Sequence, residues 1–457
     1  MSQRLLPLMV GLAFFMEQLD ATIIAPAIPD IAAALGVDPL SLNLTMTVYL
    51  LCSVVFIPTG DWLASRFGTR SVFQAALAVF ALSSVACALS TSLEMLVAAR
   101  AVQGASAALM VPVGRTAIVH VTPKPQLVNA LAWMITLAML GPMLGPPLGG
   151  LLTTAFSWHW IFLINVPIAL LCFLVSLRVF PQIKQASDGR FDTLSWLLLS
   201  AALGLAVVLL ESLREGRWQQ WPWLLPAALL TVAYVWRSRR TRLPMLDFSL
   251  LRTSTFAASF WSGSLLRVGY GALPFLLPLM LQLGLGYTPL QSGLVLLIAG
   301  AIAMATKTQT TPMLRRWGFR RVMLVNGSLC VAGLVVCALF REHWGLGAIG
   351  FVVSLASFFR AVQFNAVAAI AYAEMPPQRI GAATTLNTMA WQFAIMLGIA
   401  LSSVVVSLSA RVGGRAEAAP LDFGLAFLVL AAIGALATPA CLRLRADAGS
   451  QLSGHRA

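Results

Sequence analysis

Glu17 and Asp20 lie three residues apart inside an apolar run, and so on one face of any helix they share. Two carboxyls side by side and out of water favour sharing a proton over carrying two charges. Such a pair can load and release a hydrogen ion without any cofactor, so protons are the expected coupling ion. Four cations are in the same position: Arg100, Arg267, Lys307 and Arg360 also fall inside apolar runs. An ionised side chain costs roughly 2.5–3.5 kcal/mol at the centre of a membrane helix, so all six should face a cavity or one another.

Arg100 is followed one turn later by Gln103. The charge of an arginine is fixed, so Arg100 can register whether the acids are protonated, although a permanent counter-ion would look the same in sequence. Arg115 stands a helix length further on and either lines a cavity or snorkels to the headgroups. Lys307 has the same two options near a span end. Phe364 and Asn365 follow Arg360 and supply either cavity contacts or packing. Gln103, Arg115, Arg267, Lys307, Arg360, Phe364 and Asn365 are therefore the candidate substrate-cavity set. Two acids cannot neutralise four cations, and a net positive cavity favours an organic anion or a metal–carboxylate chelate.

Other chemistry is harder to place. None of Lys124, Lys184 and Lys307 follows a glycine, so no phosphate-cradling loop is expected. His120, His159, His343 and His455 are scattered, and the six cysteines lack metal-type spacing. The expectation is a protein that is not an enzyme and carries neither metal nor organic cofactor.

The elements that must position these groups are membrane helices. The chain is 59% hydrophobic and 10% charged, with a mean hydropathy of +0.86, whereas a soluble chain carries about a quarter charged residues. Apolar windows recur over 5–28, 43–62, 71–90, 93–114, 128–154, 159–180, 193–211, 222–236, 255–281, 290–310, 321–340, 345–370, 382–409 and 421–442. Most are long enough for a hydrocarbon core about 30 Å thick. Continuous apolarity excludes a membrane β-barrel, whose strands alternate. The net charge of +14 raises the question of nucleic acid, but 21 of the 30 Lys and Arg fall in alternate loops and only five in the intervening ones. That asymmetry places both termini in the cytoplasm and makes anionic lipid, not a polynucleotide, the partner of the charge.

Arg66-Phe67-Gly68-Thr69-Arg70 and Arg316-Trp317-Gly318-Phe319-Arg320 repeat one pattern, Arg-aromatic-Gly-x-Arg, 250 residues apart. Six helices with loops need only about 190 residues, at 20 or so per span. The extra length fits two further spans, giving six plus two plus six. The expected architecture is all-α and polytopic: an N-terminal six-helix bundle over 1–185, two linker helices over 186–252, a C-terminal bundle over 253–445 and a tail over 446–457. Parallel half-repeats around a central site are an architecture of secondary transporters. A single chain would suffice, so a monomer is expected.

In the fifth span, Gly141, Gly145 and Gly149 recur every four residues, with Pro142 and Pro146 between them and Gly150 after. They form a bare ridge that admits another helix almost to backbone contact. This stretch resembles the antiporter motif of the major facilitator superfamily. Gly60 to Arg70 is similar to that family's loop motif, and Arg100 to Gly104 to its fourth-helix motif. Leu19 to Pro29 and Ser157 to Pro167 resemble motifs of its fourteen-helix drug:proton antiporter branch. The resemblance implies export of drugs or small metabolites across a bacterial cytoplasmic membrane by alternating access, driven by proton entry. It further implies coupling through Asp20 and Arg100 and a gate at the glycine ridge. The chain departs from the loop motif, with Asp61 in the place of a glycine and Ser65 in the place of an aspartate, so the carboxylate is displaced by one turn. Membrane acids that would hold a cationic drug are absent beyond Glu17 and Asp20, which leaves the anion alternative open.

Overall fold

The computed structural model describes residues 2–184, 191–241, 244–445 and 447–453, and among them the only regular elements are helices. Fourteen reach 14 residues or more: α1 (Ser2–Ile23), α2 (Asn43–Phe56), α3 (Thr69–Ala88), α4 (Leu93–Val121), α5 (Lys124–Ala155), α6 (Asn165–Val179), α7 (Thr193–Glu215), α8 (Leu224–Arg240), α9 (Ser254–Leu279), α10 (Pro289–Ala305), α11 (Lys307–Cys337), α12 (Leu346–Ile370), α13 (Ile380–Val412) and α14 (Pro420–Ala435). Among the described residues, twelve candidate spans are long and apolar enough to cross a membrane. The expected spans 222–236 and 290–310 correspond to α8 and α10, which have 17 residues each and fall short of that length.

Local chemistry sets the ends of these helices. Ser92 caps α4 by accepting from the Met95 amide at 3.2 Å, and Thr288 with Gln291 forms a reciprocal capping box at the start of α10. The first span is longer than the window 5–28, because a turn at Ala25–Ala27 carries the chain from α1 into a further helix, Ile28–Leu35. That helix stops at Gly36 in the left-handed conformation. The window 321–340 falls on the part of α11 beyond Gly318, where the helix is broken with φ 71° and ψ 165°.

The chain divides into two compact units, Met1–Ser200 and Ala201–Ala457, with the border inside α7. Within the first unit α1 packs on α5 and α6, α2 on α4, and α3 on α4 and α6. Within the second, α9 packs on α13 and α14, α10 on α12, and α11 on α12 and α14. Counted from the first helix of each six, the five pairings coincide. The sequence repeat therefore marks a duplicated six-helix fold, with α7 and α8 between the copies.

The two repeated loops match residue by residue. Gly68 has φ 90° and ψ 148°, close to the values at Gly318, in a region that essentially only glycine occupies. Arg66 and Phe67 are exposed, Gly68 and Thr69 buried and Arg70 half-buried; Arg316 to Arg320 repeat that order.

Each loop is also covered by the segment leaving its bundle's sixth helix. The Gln182 side chain accepts from the Arg70 amide at 3.0 Å and donates to Phe67 O at 3.1 Å, so it caps α3 from a distant point in the chain. In the second unit Leu444 and Ala448 are buried with Phe319. Asp61 is exposed in the first turn of the short helix Thr59–Phe67, and the Ser65 hydroxyl donates to Trp62 O at 2.8 Å.

Candidate functional site

α5 fixes the stretch of α1 that carries the acids. A Cβ at Gly141 would meet the Leu19 amide and Phe15 O, one at Gly145 the Thr22 hydroxyl, and one at Gly149 the Ile23 carbonyl. The bare ridge thus admits the backbone of α1 over Phe15 to Ile23. Gly150 is buried beside it, and Pro142, Pro146 and Pro147 all lie within α5. A second close approach comes from α2, where Gly104 leaves room for the Tyr49 carbonyl on α4.

Asp20 is fully buried at the centre of the network these approaches create. Its Oδ2 lies 2.5 Å from Nη1 of Arg100, also fully buried. Its Oδ1 accepts from Gln103 Nε2 at 3.0 Å and from Asn165 Nδ2 at 2.7 Å. Arg100 donates further to Gln103 Oε1 at 2.8 Å and to Thr45 O at 3.3 Å, and its guanidinium lies 4.2 Å from the Tyr49 ring centre. Gln103 Nε2 also donates to Ser84 Oγ at 2.8 Å. Four helices, α1, α2, α4 and α6, therefore meet on one carboxylate and one guanidinium, and α3 joins them through Ser84 and Gln103. Charge-assisted bonds in a low-dielectric interior are short and strong, and the loss of either charge would leave the other exposed to its desolvation cost.

Glu17 is different. It is buried on the same face of α1, yet its Oε2 has no hydrogen-bond partner, and neither has the Tyr49 hydroxyl. Asp20 is saturated and Glu17 is not.

Of the expected cavity residues, Gln103 belongs to this network. Arg115 is exposed on α4, fifteen residues beyond Arg100, and is not brought to it. Fifteen residues of helix span about 22 Å. The Lys307 side chain lies outside the described residues. Arg267, Arg360 and Phe364 come together in the second unit. The Arg267 guanidinium lies 4.1 Å from the Phe364 ring centre and 3.8 Å from that of Trp391, while Arg360 is 5.7 Å from Tyr270. Asn365 instead donates to Thr310 Oγ1 at 3.2 Å, and so ties α12 to α11.

Several partners were not legible in sequence. Asn165 opens α6 as a lone amide in an apolar stretch, which is a signal of a buried polar contact but not of which residue it meets. Tyr49, Ser84, Tyr270 and Trp391 carry no charge or motif in the sequence that would mark them. No group of three or more His, Cys, Asp or Glu side chains suited to a metal occurs among the described residues.

The chain matches the Major Facilitator Superfamily over residues 10–399. HsrA of Haemophilus influenzae, provisionally described as a transport protein, is 35% identical over 427 residues, covering 92% of this chain and 91% of its own. MdtD of Klebsiella pneumoniae, provisionally assigned to multidrug resistance, is 31% identical over 450 residues, covering 96% and 94%. In three dimensions the fold is similar to a bacterial homologue of the human lysosomal transporter Spinster, solved inward-facing and unoccupied, with a TM-score of 0.67 at 13% identity over 97% of both chains. It is also similar to the nucleoside transporter NupG, with a TM-score of 0.65 at 14% identity over 97% of this chain and 98% of the other.

Proposed function

This chain is a member of the major facilitator superfamily, and on that premise we propose that it is a proton-coupled antiporter. Family membership makes it a multi-pass membrane transporter of small solutes and not an enzyme. The finer reading is export of drugs or small metabolites across a bacterial cytoplasmic membrane by alternating access. In that reading fourteen helices span, both termini are cytoplasmic, and one chain suffices without a cofactor. The kinship with MdtD supports the drug-export part of it.

The observation that carries the proposal is the buried Asp20–Arg100 pair with an unpartnered Glu17 one turn away. A proton arriving at Glu17 is in reach of the α1 face that bears Asp20. Protonating Asp20 neutralises the partner of Arg100 and leaves the guanidinium with Thr45 O, Gln103 Oε1 and the Tyr49 ring. The pair is thus a two-state element whose balance one hydrogen ion shifts. A proton crossing 100 mV delivers about 2.3 kcal/mol, part of the cost of breaking such a pair and sufficient to bias its balance.

The glycine ridge keeps α1 and α5 in backbone contact beside this element, which supports a sealing role for it. The test is purified protein in liposomes with an imposed pH gradient, assayed for uptake of a solute panel spanning lipophilic cations and organic anions. Gradient-dependent flux of at least one solute is expected. Flux that is indifferent to the gradient for every solute would remove proton coupling.

A further inference from the structure

We propose that Arg267 and Arg360, with Tyr270, Phe364 and Trp391 around them, form a binding site for an organic dianion, a small molecule carrying two carboxylate groups. This deepens the exporter reading and rests on it only for the direction in which the solute moves.

The charges are what need explaining. In the first unit the buried arginine has its acid at 2.5 Å. In the second unit neither Arg267 nor Arg360 takes part in any ion pair among the described residues; Glu342 and Glu417 are exposed there, and other acids are engaged elsewhere. Asp422 pairs with Arg415, Asp247 with Arg379 and Asp447 with Arg445, while Glu374 accepts from Thr255. Two guanidinium groups in the middle of apolar helices without a carboxylate are an unfilled electrostatic demand.

The surroundings hold both groups in place for a ligand. Arg267 sits between Phe364 and Trp391, and among the described residues its one donated hydrogen bond runs to Gly263 O on its own helix, at 3.2 Å. Stacking on two ring faces fixes the plane of the guanidinium and leaves its edge, the part that forks onto a carboxylate, to face a ligand. Phe364 meets Tyr270 edge-on at 6.4 Å, Tyr270 is pinned by donating to Cys330 O at 2.8 Å, and Arg360 lies over Tyr270. The five side chains therefore form one continuous chain with a guanidinium near either end.

Unused polar groups occupy the same turns. Gln363, between Arg360 and Phe364, is fully buried with neither its nitrogen nor its oxygen paired. Asn387, one turn before Trp391, is 1% exposed and equally unpaired, and the Trp391 indole nitrogen has no acceptor. Depth is consistent too. The Asp247–Arg379 ion pair ties the entry of α9 to that of α13. From the ends of α9, α12 and α13 on that side, Arg267, Arg360 and Trp391 lie 13, 10 and 11 residues in. At 1.5 Å per residue these are all about 15–20 Å deep, near the middle of a bilayer.

Planar forks recognise carboxylates in two-point geometry, two of them favour two carboxylates, and the aromatic walls suit a flat organic body. A lipophilic cation would meet two like charges with no acid to offset them.

The test is equilibrium binding to the full-length protein in nanodiscs without a pH gradient, by calorimetry, using phthalate, benzoate and tetraphenylphosphonium as probes. Phthalate should bind at least about tenfold more tightly than benzoate, and tetraphenylphosphonium should not displace it. Arg267→Gln and Arg360→Gln should each weaken phthalate by at least tenfold. Arg267→Lys and Arg360→Lys, which keep the charge but lose the fork, serve where a glutamine variant fails to fold and should still weaken phthalate several-fold. Absence of phthalate binding, phthalate affinity indifferent to these variants, or displacement by tetraphenylphosphonium overturns the proposal. Because no gradient is applied, the two readings fail separately: phthalate binding without proton-linked flux leaves the site and removes the antiporter. Proton-linked flux of a cation without phthalate binding does the reverse.

Discussion

Asp20 accepts from Arg100, Gln103 and Asn165 at once, and that saturation decides what its replacement should do. Asp20→Asn leaves Arg100 buried without a counter-charge, a loss of about 3–5 kcal/mol for a buried pair broken on one side. The same neutral state is visited whenever Asp20 takes up a proton, so the variant should still fold. We expect Asp20→Asn to have a lower Tm and no proton-linked flux in liposomes. Adding Arg100→Gln should recover much of the Tm and none of the flux. Uphill transport by Asp20→Asn would take this residue out of the coupling. Glu17→Gln, by contrast, breaks no hydrogen bond at Oε2 and should leave the Tm nearly unchanged while altering the pH profile of flux. The pair Glu17 and Asp20 was visible from spacing alone, as was the burial of Arg100. Which of the two acids is held and which is free was not, because that depends on Asn165 from α6 and Tyr49 from α2 arriving beside them.

At the scale of elements, the glycines of α5 act through the space they leave. Gly149→Ala and Gly204→Ala each replace a glycine inside a helix, and each gains about 1 kcal/mol in helix propensity. A Cβ at Gly149 would collide with the Ile23 carbonyl, whereas one at Gly204 meets nothing within 4 Å. Thermal unfolding should show Gly204→Ala neutral or stabilised and Gly149→Ala destabilised, so their difference measures the α1–α5 contact. Equal effects would mean that the ridge has no packing role. The repeated loops allow a similar comparison. Gly68→Ala and Gly318→Ala should both destabilise, since each backbone is one that side chains rarely adopt. Gln182→Ala should lower the Tm as well, by uncapping α3.

The ion pair of Asp247 with Arg379 belongs to the same scale. Burial raises the Asp247 carboxyl, but hydrogen bonds from Ser249 and Arg379 and the Arg379 charge outweigh it and hold the group below the usual carboxylate range. Its contribution is therefore present above about pH 4 and lost as pH falls through the lowered value. The difference in Tm between the parent and Asp247→Asn should shrink on acidification below pH 4. A difference that is constant with pH would exclude the clasp as a stabilising contact.

For the whole molecule, the fourteen-span reading requires α8 and α10 to cross the bilayer at 17 residues each. If they span and both termini are cytoplasmic, the turn between α7 and α8 is outside and the basic end of α8 inside. In a background without native cysteines, Arg217→Cys should react with an impermeant thiol reagent in intact cells, and Arg240→Cys only after the membrane is opened. Reaction of both from outside would set aside the fourteen-span topology. Duplication at this scale was legible from two five-residue matches, because Arg-aromatic-Gly-x-Arg needs a backbone that essentially only glycine adopts, and that need appears twice.

Composition and apolar windows determined by themselves that this is a polytopic helical membrane protein and that Glu17, Asp20, Arg100, Arg267 and Arg360 are out of place, and the repeated five-residue pattern determined that its fold is duplicated. These are properties of single segments against a solvent, and a segment carries them wherever it packs. Tertiary structure alone decided the pairings. Asp20 and Arg100 are eighty residues apart and meet because the bare ridge on α5 and Gly104 on α4 let α1 and α2 approach. Arg267 and Arg360 come to the same set of rings without an acid, a fact about three helices at once that no one of them contains.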